Sequence, residues 1–148
     1  MNRIFYLLMA FLVLSCTKTE QDPFPYARVN LELDLTFEDK GLNGVMAFKT
    51  YILGQTSGLS ATEFTGVGGV LVYHDVYGYS AYDLACPYEG SPNVRVEMDE
   101  DAINAVCPKC GSAFNVFEAS GAVVNGPATQ GLKKYSLHQN GNKIYVIN

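Results

Sequence analysis

Two near-copies of one pentapeptide, CPYEG at residues 86–90 and CPKCG at residues 107–111, restrict most strongly how this chain can fold. Each reads Cys-Pro-x-[Glu/Cys]-Gly. A Cys-x-x-Cys turn closed by glycine is a metal knuckle, in which two side chains converge on one ion while backbone N–H groups point at the sulfurs. Two facing knuckles make a tetrahedral site, so the chain must bring these loops together. The donors on offer are Cys86, Cys107 and Cys110, with Tyr88 or Glu89 as a fourth. The competing reading is a pair of metal-free loops. In an oxidising compartment, Cys107 would then be joined to Cys110, or Cys86 to either, as a disulfide.

The start of the chain points to such a compartment. Residues 1–15, MNRIFYLLMAFLVLS, carry one basic residue, Arg3, and then an unbroken apolar run. The run is too short to span a bilayer as a helix but fits the core of a signal peptide. It ends in Val13-Leu14-Ser15-Cys16, which resembles the lipobox of bacterial lipoproteins: a small residue before the cut and a thiol that carries diacylglycerol. We therefore expect a signal peptide over 1–15, lipidation at Cys16, a polar, proline-containing tether over 16–27 and a single domain over 28–148. That places the protein in the bacterial cell envelope, on the periplasmic or outer-surface side, with the membrane as a partner through the lipid anchor.

The body of the chain reads as β-structure. In residues 28–37, RVNLELDLTF, apolar side chains alternate with polar ones, the period of a strand with one buried face. Further strands are expected near 45–53, 70–74, 77–85, 114–117, 122–124, 134–138 and 143–147. Turns are expected at 38–44, 54–60 and 66–69. Asn140-Gly141 predicts a type I′ hairpin. The one helical piece is a short turn near 99–104, and no segment sustains a 3.6-residue period.

Composition narrows the functional classes. Of 148 residues 48% are apolar and 17% charged, a globular balance. The net charge of −5 leaves no basic surplus to meet nucleic-acid phosphates. Gly66-Val67-Gly68-Gly69 lies between strands and reads as a turn, not a phosphate loop. The acidic run EMDED at 97–101 lacks the spacing and glycine of a calcium loop and reads as solvated. His74 and His138 stand in strand-like runs, away from any ligand spacing, and read as ordinary strand residues.

From about residue 79 to 146 the chain resembles a Rieske-type iron–sulfur domain. Such domains present C-x-H in one loop and C-x-x-H-G-S-x-F in a second, followed by a strand pair, a G-P-A loop and a final hairpin. Here Cys86-Pro87-Tyr88 is followed by Cys107-Pro108-Lys109-Cys110-Gly111-Ser112-Ala113-Phe114 and then by Gly126-Pro127-Ala128. The resemblance implies an all-β, Rieske-like antiparallel β-sandwich or barrel, with a small cluster-binding subdomain made of the two knuckle loops. It implies that Gly111, Ser112, Gly126 and Pro127 shape and shield the site. In the family two cysteines hold one iron of a [2Fe–2S] cluster and two histidines the other. Cys86 and Cys107 match the cysteines, but Tyr88 and Cys110 stand where the histidines belong, and Ser91 and Lys109 replace the cysteines of the loop disulfide found in some members. A [2Fe–2S] cluster with substituted ligands, a single zinc or iron ion, and no metal all remain open. The resemblance implies an electron carrier that serves a redox partner protein and is not a self-contained enzyme. The alternative is a non-redox surface or periplasmic binding lipoprotein that keeps the fold without the cluster.

Overall fold

The computed structural model describes residues 23–148. The signal peptide expected over 1–15 and the lipidation expected at Cys16 lie outside the described residues. Among the described residues no helix is long and apolar enough to cross a membrane.

Among the described residues eleven strands, all paired antiparallel, form three sheets. The first joins β1 (Val29–Asp34), β3 (Phe64–Thr65), β10 (Ser136–Asn140) and β11 (Lys143–Ile147) in the order β10-β11-β1-β3. The second joins β2 (Phe48–Tyr51), β4 (Val70–Asp75) and β5 (Gly78–Asp83) in chain order. The third runs β6 (Glu97–Met98), β7 (Asn104–Val106), β8 (Ala113–Asn115) and β9 (Ala122–Asn125).

The second sheet lies between two cores. Val70 and Val72 of β4 pack with Val29, Leu31 and Leu33 of β1 and with Ile144 and Val146 of β11. Leu71 and Tyr73, on the other face of the same strand, pack with Phe114, Val116, Ala105, Cys86 and Cys107. This explains two contrasting patterns. A strand covered on one side alternates, as β1 does with Val29, Leu31 and Leu33 inward. A strand covered on both sides reads as the continuous apolar run Val70-Leu71-Val72-Tyr73. Cys86 and Cys107 belong to the second core and are buried.

The structure amends several sequence expectations. The stretch 99–104 is a hairpin turn between β6 and β7 and not a helical piece. The Asp99 carboxylate accepts the backbone N–H groups of Ile103 (2.9 Å) and Asn104 (3.1 Å) and the Asn104 side-chain amide (2.9 Å). An Asx-type turn of this kind offers the backbone an alternative to a helix. A 3₁₀ turn, Lys40–Asn43, forms where an irregular turn was expected. In the last hairpin Asn140 pairs with Lys143, so Gly141 and Asn142 are the central residues. Only Gly141 has positive φ (59°), the pattern of a type II′ and not a type I′ turn. The part of the expected tether that is described lies on the folded body. Phe24 is buried, and Tyr26 and Ala27 hydrogen-bond the Asn148 side chain.

Leu33, 1% exposed in the first core, tests this packing. Leu33→Ala should cost about 2–5 kcal/mol in urea unfolding, whereas Val124→Ala on the exposed strand β9 should change stability by less than about 0.5 kcal/mol.

Candidate metal centre

The two pentapeptides fold alike. In the first, Gly90 N–H donates to Cys86 O at 3.2 Å; in the second, Gly111 N–H donates to Cys107 O at 2.9 Å. Both glycines lie in the left-handed region, at φ of 60° and 73°, and a Cβ added to either would touch nothing. Backbone conformation, not space, therefore selects glycine at these two positions. The first loop leaves the end of β5 and is closed at its base by the Cys86 N–H bond to Val94 O (2.9 Å) and the Ala85–Arg95 bridge. The second is the hairpin loop between β7 and β8, closed by the Cys107 N–H bond to Ser112 O (2.8 Å).

The loops face each other across three sulfurs. Sγ of Cys86, Cys107 and Cys110 all lie within 4.8 Å of one another, and Cys86 Sγ is 3.7 Å from Cys110 Sγ. Four tetrahedral ligands about 2.3 Å from one ion are about 3.8 Å apart, so that edge already suits a single ion. All three cysteines are free, with Cys86 and Cys107 buried and Cys110 half-buried.

Their surroundings separate the thiols. Burial pushes Cys86 up to about 12, opposed by the backbone N–H groups of Glu89 and Tyr88 directed at its sulfur. Burial would raise Cys110 too, but hydrogen bonds from Ser112, Cys107 and Cys86 outweigh it and bring that thiol below its ordinary value. Ser112 is fully buried. Its Oγ accepts the Ala128 N–H at 3.0 Å and the Cys110 thiol at 3.2 Å, and the hydroxyl proton is free to turn to the sulfur once that thiol is ionised. Gly126 permits this arrangement, because a Cβ there would stand 2.5 Å from Ser112 Cα. Gly111 and Pro127 are exposed.

Tyr88 is 55% exposed. The Glu89 carboxylate is not among the donors brought together; it forms an ion pair with Lys109 of the opposite loop. Neither histidine joins the sulfurs. His74 Nδ1 lies 2.8 Å from Leu42 O, with its ring stacked on Tyr79, and His138 is exposed on β10. The described residues therefore do not supply the two-cysteine, two-histidine set of a Rieske cluster. They supply three thiols around one point.

A buried carboxylate anchors the first loop, and the motifs did not disclose it. Asp83 is 0% exposed and accepts the N–H groups of Val67 (2.9 Å), Gly68 (2.9 Å) and Ala85 (2.7 Å), together with the Tyr135 hydroxyl. Gly68 in turn offers its carbonyl to Arg95 Nε, and a Cβ on Gly68 would stand 2.5 Å from the Ala85 nitrogen. The glycine-rich turn is thus pressed against the residue that precedes Cys86. The one available signal was an aspartate three residues before a knuckle cysteine in a chain that also carries a glycine cluster between strands.

No family model and no curated protein matches the chain. Among solved structures it is similar to the cyanobacterial plasma membrane Rieske protein PetC3 from Synechocystis PCC 6803. The identity is 31%, over 53% of this chain and 76% of that chain, with a TM-score of 0.45.

The split between thiols sets two outcomes. In the metal-free protein, iodoacetamide at neutral pH should modify Cys110 well before Cys86. Cys86 has a higher pKa folded (about 12) than its ordinary 9.0, so its contribution to stability is present below pH 9 and is lost as pH rises from 9 toward 12. Thermal melts across that window should show a steeper loss in the wild type than in Cys86→Ala.

Proposed function

We propose that the protein is a Rieske-like module that binds one thiophilic metal ion through Cys86, Cys107 and Cys110 and, with iron there, carries single electrons to a partner protein. The observation that carries this reading is the convergence of three sulfurs from two loops to within 4.8 Å. A two-iron cluster needs ligands divided between two metals, and a Cys₂His₂ set is not what these loops hold. A single thiolate-bound iron needs only a tetrahedral group of donors, and zinc would fill the same place structurally.

Iron bound by thiolates supplies reversible one-electron chemistry. The chain's own residues do the remainder. The N–H groups of Tyr88 and Glu89 hold negative charge on Cys86, and Ser112 does so on Cys110. Phe114, Val116 and Leu84 keep water from the inner side, while the half-buried Cys110 edge faces out toward a partner.

The envelope location belongs to the same proposal: export by residues 1–15 and a lipid on Cys16. Cys16→Ser should move the protein from the membrane fraction to the soluble one and abolish incorporation of labelled lipid. If labelled lipid fails to enter the wild type as well, the anchor is wrong.

The metal is tested on full-length protein isolated anaerobically in detergent. One iron or zinc per chain is expected, with a thiolate-to-iron absorption band in the iron form, and Cys110→Ser should weaken metal retention by at least about tenfold. Wild-type protein that stays colourless and metal-free after iron and zinc are supplied contradicts the proposal. It would favour a binding lipoprotein that keeps the fold alone.

A further inference from the structure

Glu89, the fourth residue of the first pentapeptide, and Lys109, the third of the second, belong to opposite loops, and their side chains form an ion pair across the gap. The pair is unequal. The Glu89 side chain is only 10% exposed, whereas that of Lys109 is 64% exposed. A carboxylate so far out of water depends on its partner for charge compensation, and here an ammonium reaches in from the surface to supply it. Both residues are joined directly to the thiols. The Glu89 backbone N–H points at Cys86 Sγ, and Lys109 stands in the chain between Cys107 and Cys110. The pair therefore ties the segment that orients the first sulfur to the loop that carries the other two.

We propose that the Glu89–Lys109 ion pair is a latch that holds the two knuckles at metal-binding distance before the ion arrives, and so makes metal affinity depend on ionic strength. This rests on the metal-binding reading above. Without the latch each loop keeps its own fold, because the turns at Gly90 and Gly111 are closed by bonds within each loop. What is lost is the alignment of Cys86 with Cys107 and Cys110, which the incoming ion must then restore at a cost in affinity. Glu89, being held by Lys109, is also kept from acting as the fourth ligand.

The test is a Co²⁺ titration of reduced, full-length protein, read by the thiolate-to-cobalt absorption, at about 0.05 M and about 1 M NaCl, on either side of the range over which surface charges are screened. At low salt, Glu89→Gln and Lys109→Met should each bind Co²⁺ about five- to tenfold more weakly than wild type. The double variant should be no weaker than either single one, because the two changes remove one interaction. The charge-reversed protein, Glu89→Lys together with Lys109→Glu, should recover to within about threefold of wild type, a rescue that loss of packing alone would not give. High salt should weaken the wild type toward the single variants and leave the variants unchanged. Variants that bind as tightly as wild type at low salt, a charge-reversed protein as weak as the single variants, or a salt-independent wild type would each overturn the latch. Wild-type protein that takes up no Co²⁺ under any condition overturns the metal reading itself, and the latch with it.

Discussion

Burial of the second sheet on both faces is the constraint on which the rest of the structure depends. A strand such as β4, apolar at four successive positions, cannot leave either side to water without exposing large side chains. One side is covered by β1 and β11, whose alternating residues interlock with Val70 and Val72. The other side must be covered as well, and the sheet β6–β9 with its flanking loops does so. Cys86 and Cys107 thus serve two purposes. They fill the second core as small apolar side chains, and they hold their sulfurs at the edge of that core where the two loops meet.

That double duty sets the chemistry. A thiol buried among Leu71, Tyr82 and Phe114 resists ionisation, as the upward displacement of Cys86 shows. Cys110, at the half-buried edge and served by Ser112, is displaced the other way. A cation placed among the three sulfurs reverses the preference at Cys86, because a coordinated thiol gives up its proton. The backbone N–H groups already aimed at Cys86 then act on a thiolate. Asp83 keeps this arrangement in register by joining the glycine turn at 66–69, the Leu84-Ala85 approach to Cys86 and Tyr135 through bonds to one buried carboxylate.

Legibility in the sequence followed the range of the interactions concerned. The alternation in β1 and β11 and the apolar run in β4 are local patterns, and those strands appear where they were expected. The strands β3 (Phe64–Thr65) and β6 (Glu97–Met98) are two residues long and β7 (Asn104–Val106) three, too short to carry a period, and they exist because neighbours pair with them. The paired knuckles were legible as repeats, down to the glycine that closes each loop. The Asp83 network was not, because its parts lie 15 and 52 residues apart in the chain and no single segment betrays it. For the same reason, Glu89 read as a candidate ligand in isolation, whereas in three dimensions Lys109 holds it.

The central claim is that three thiolates surround one ion, and X-ray absorption at the metal edge of the purified iron- or zinc-loaded protein tests it most directly. The account predicts three sulfur neighbours at about 2.3 Å, one lighter donor and no second metal. A metal–metal vector, or a first shell with fewer than three sulfurs, would contradict it.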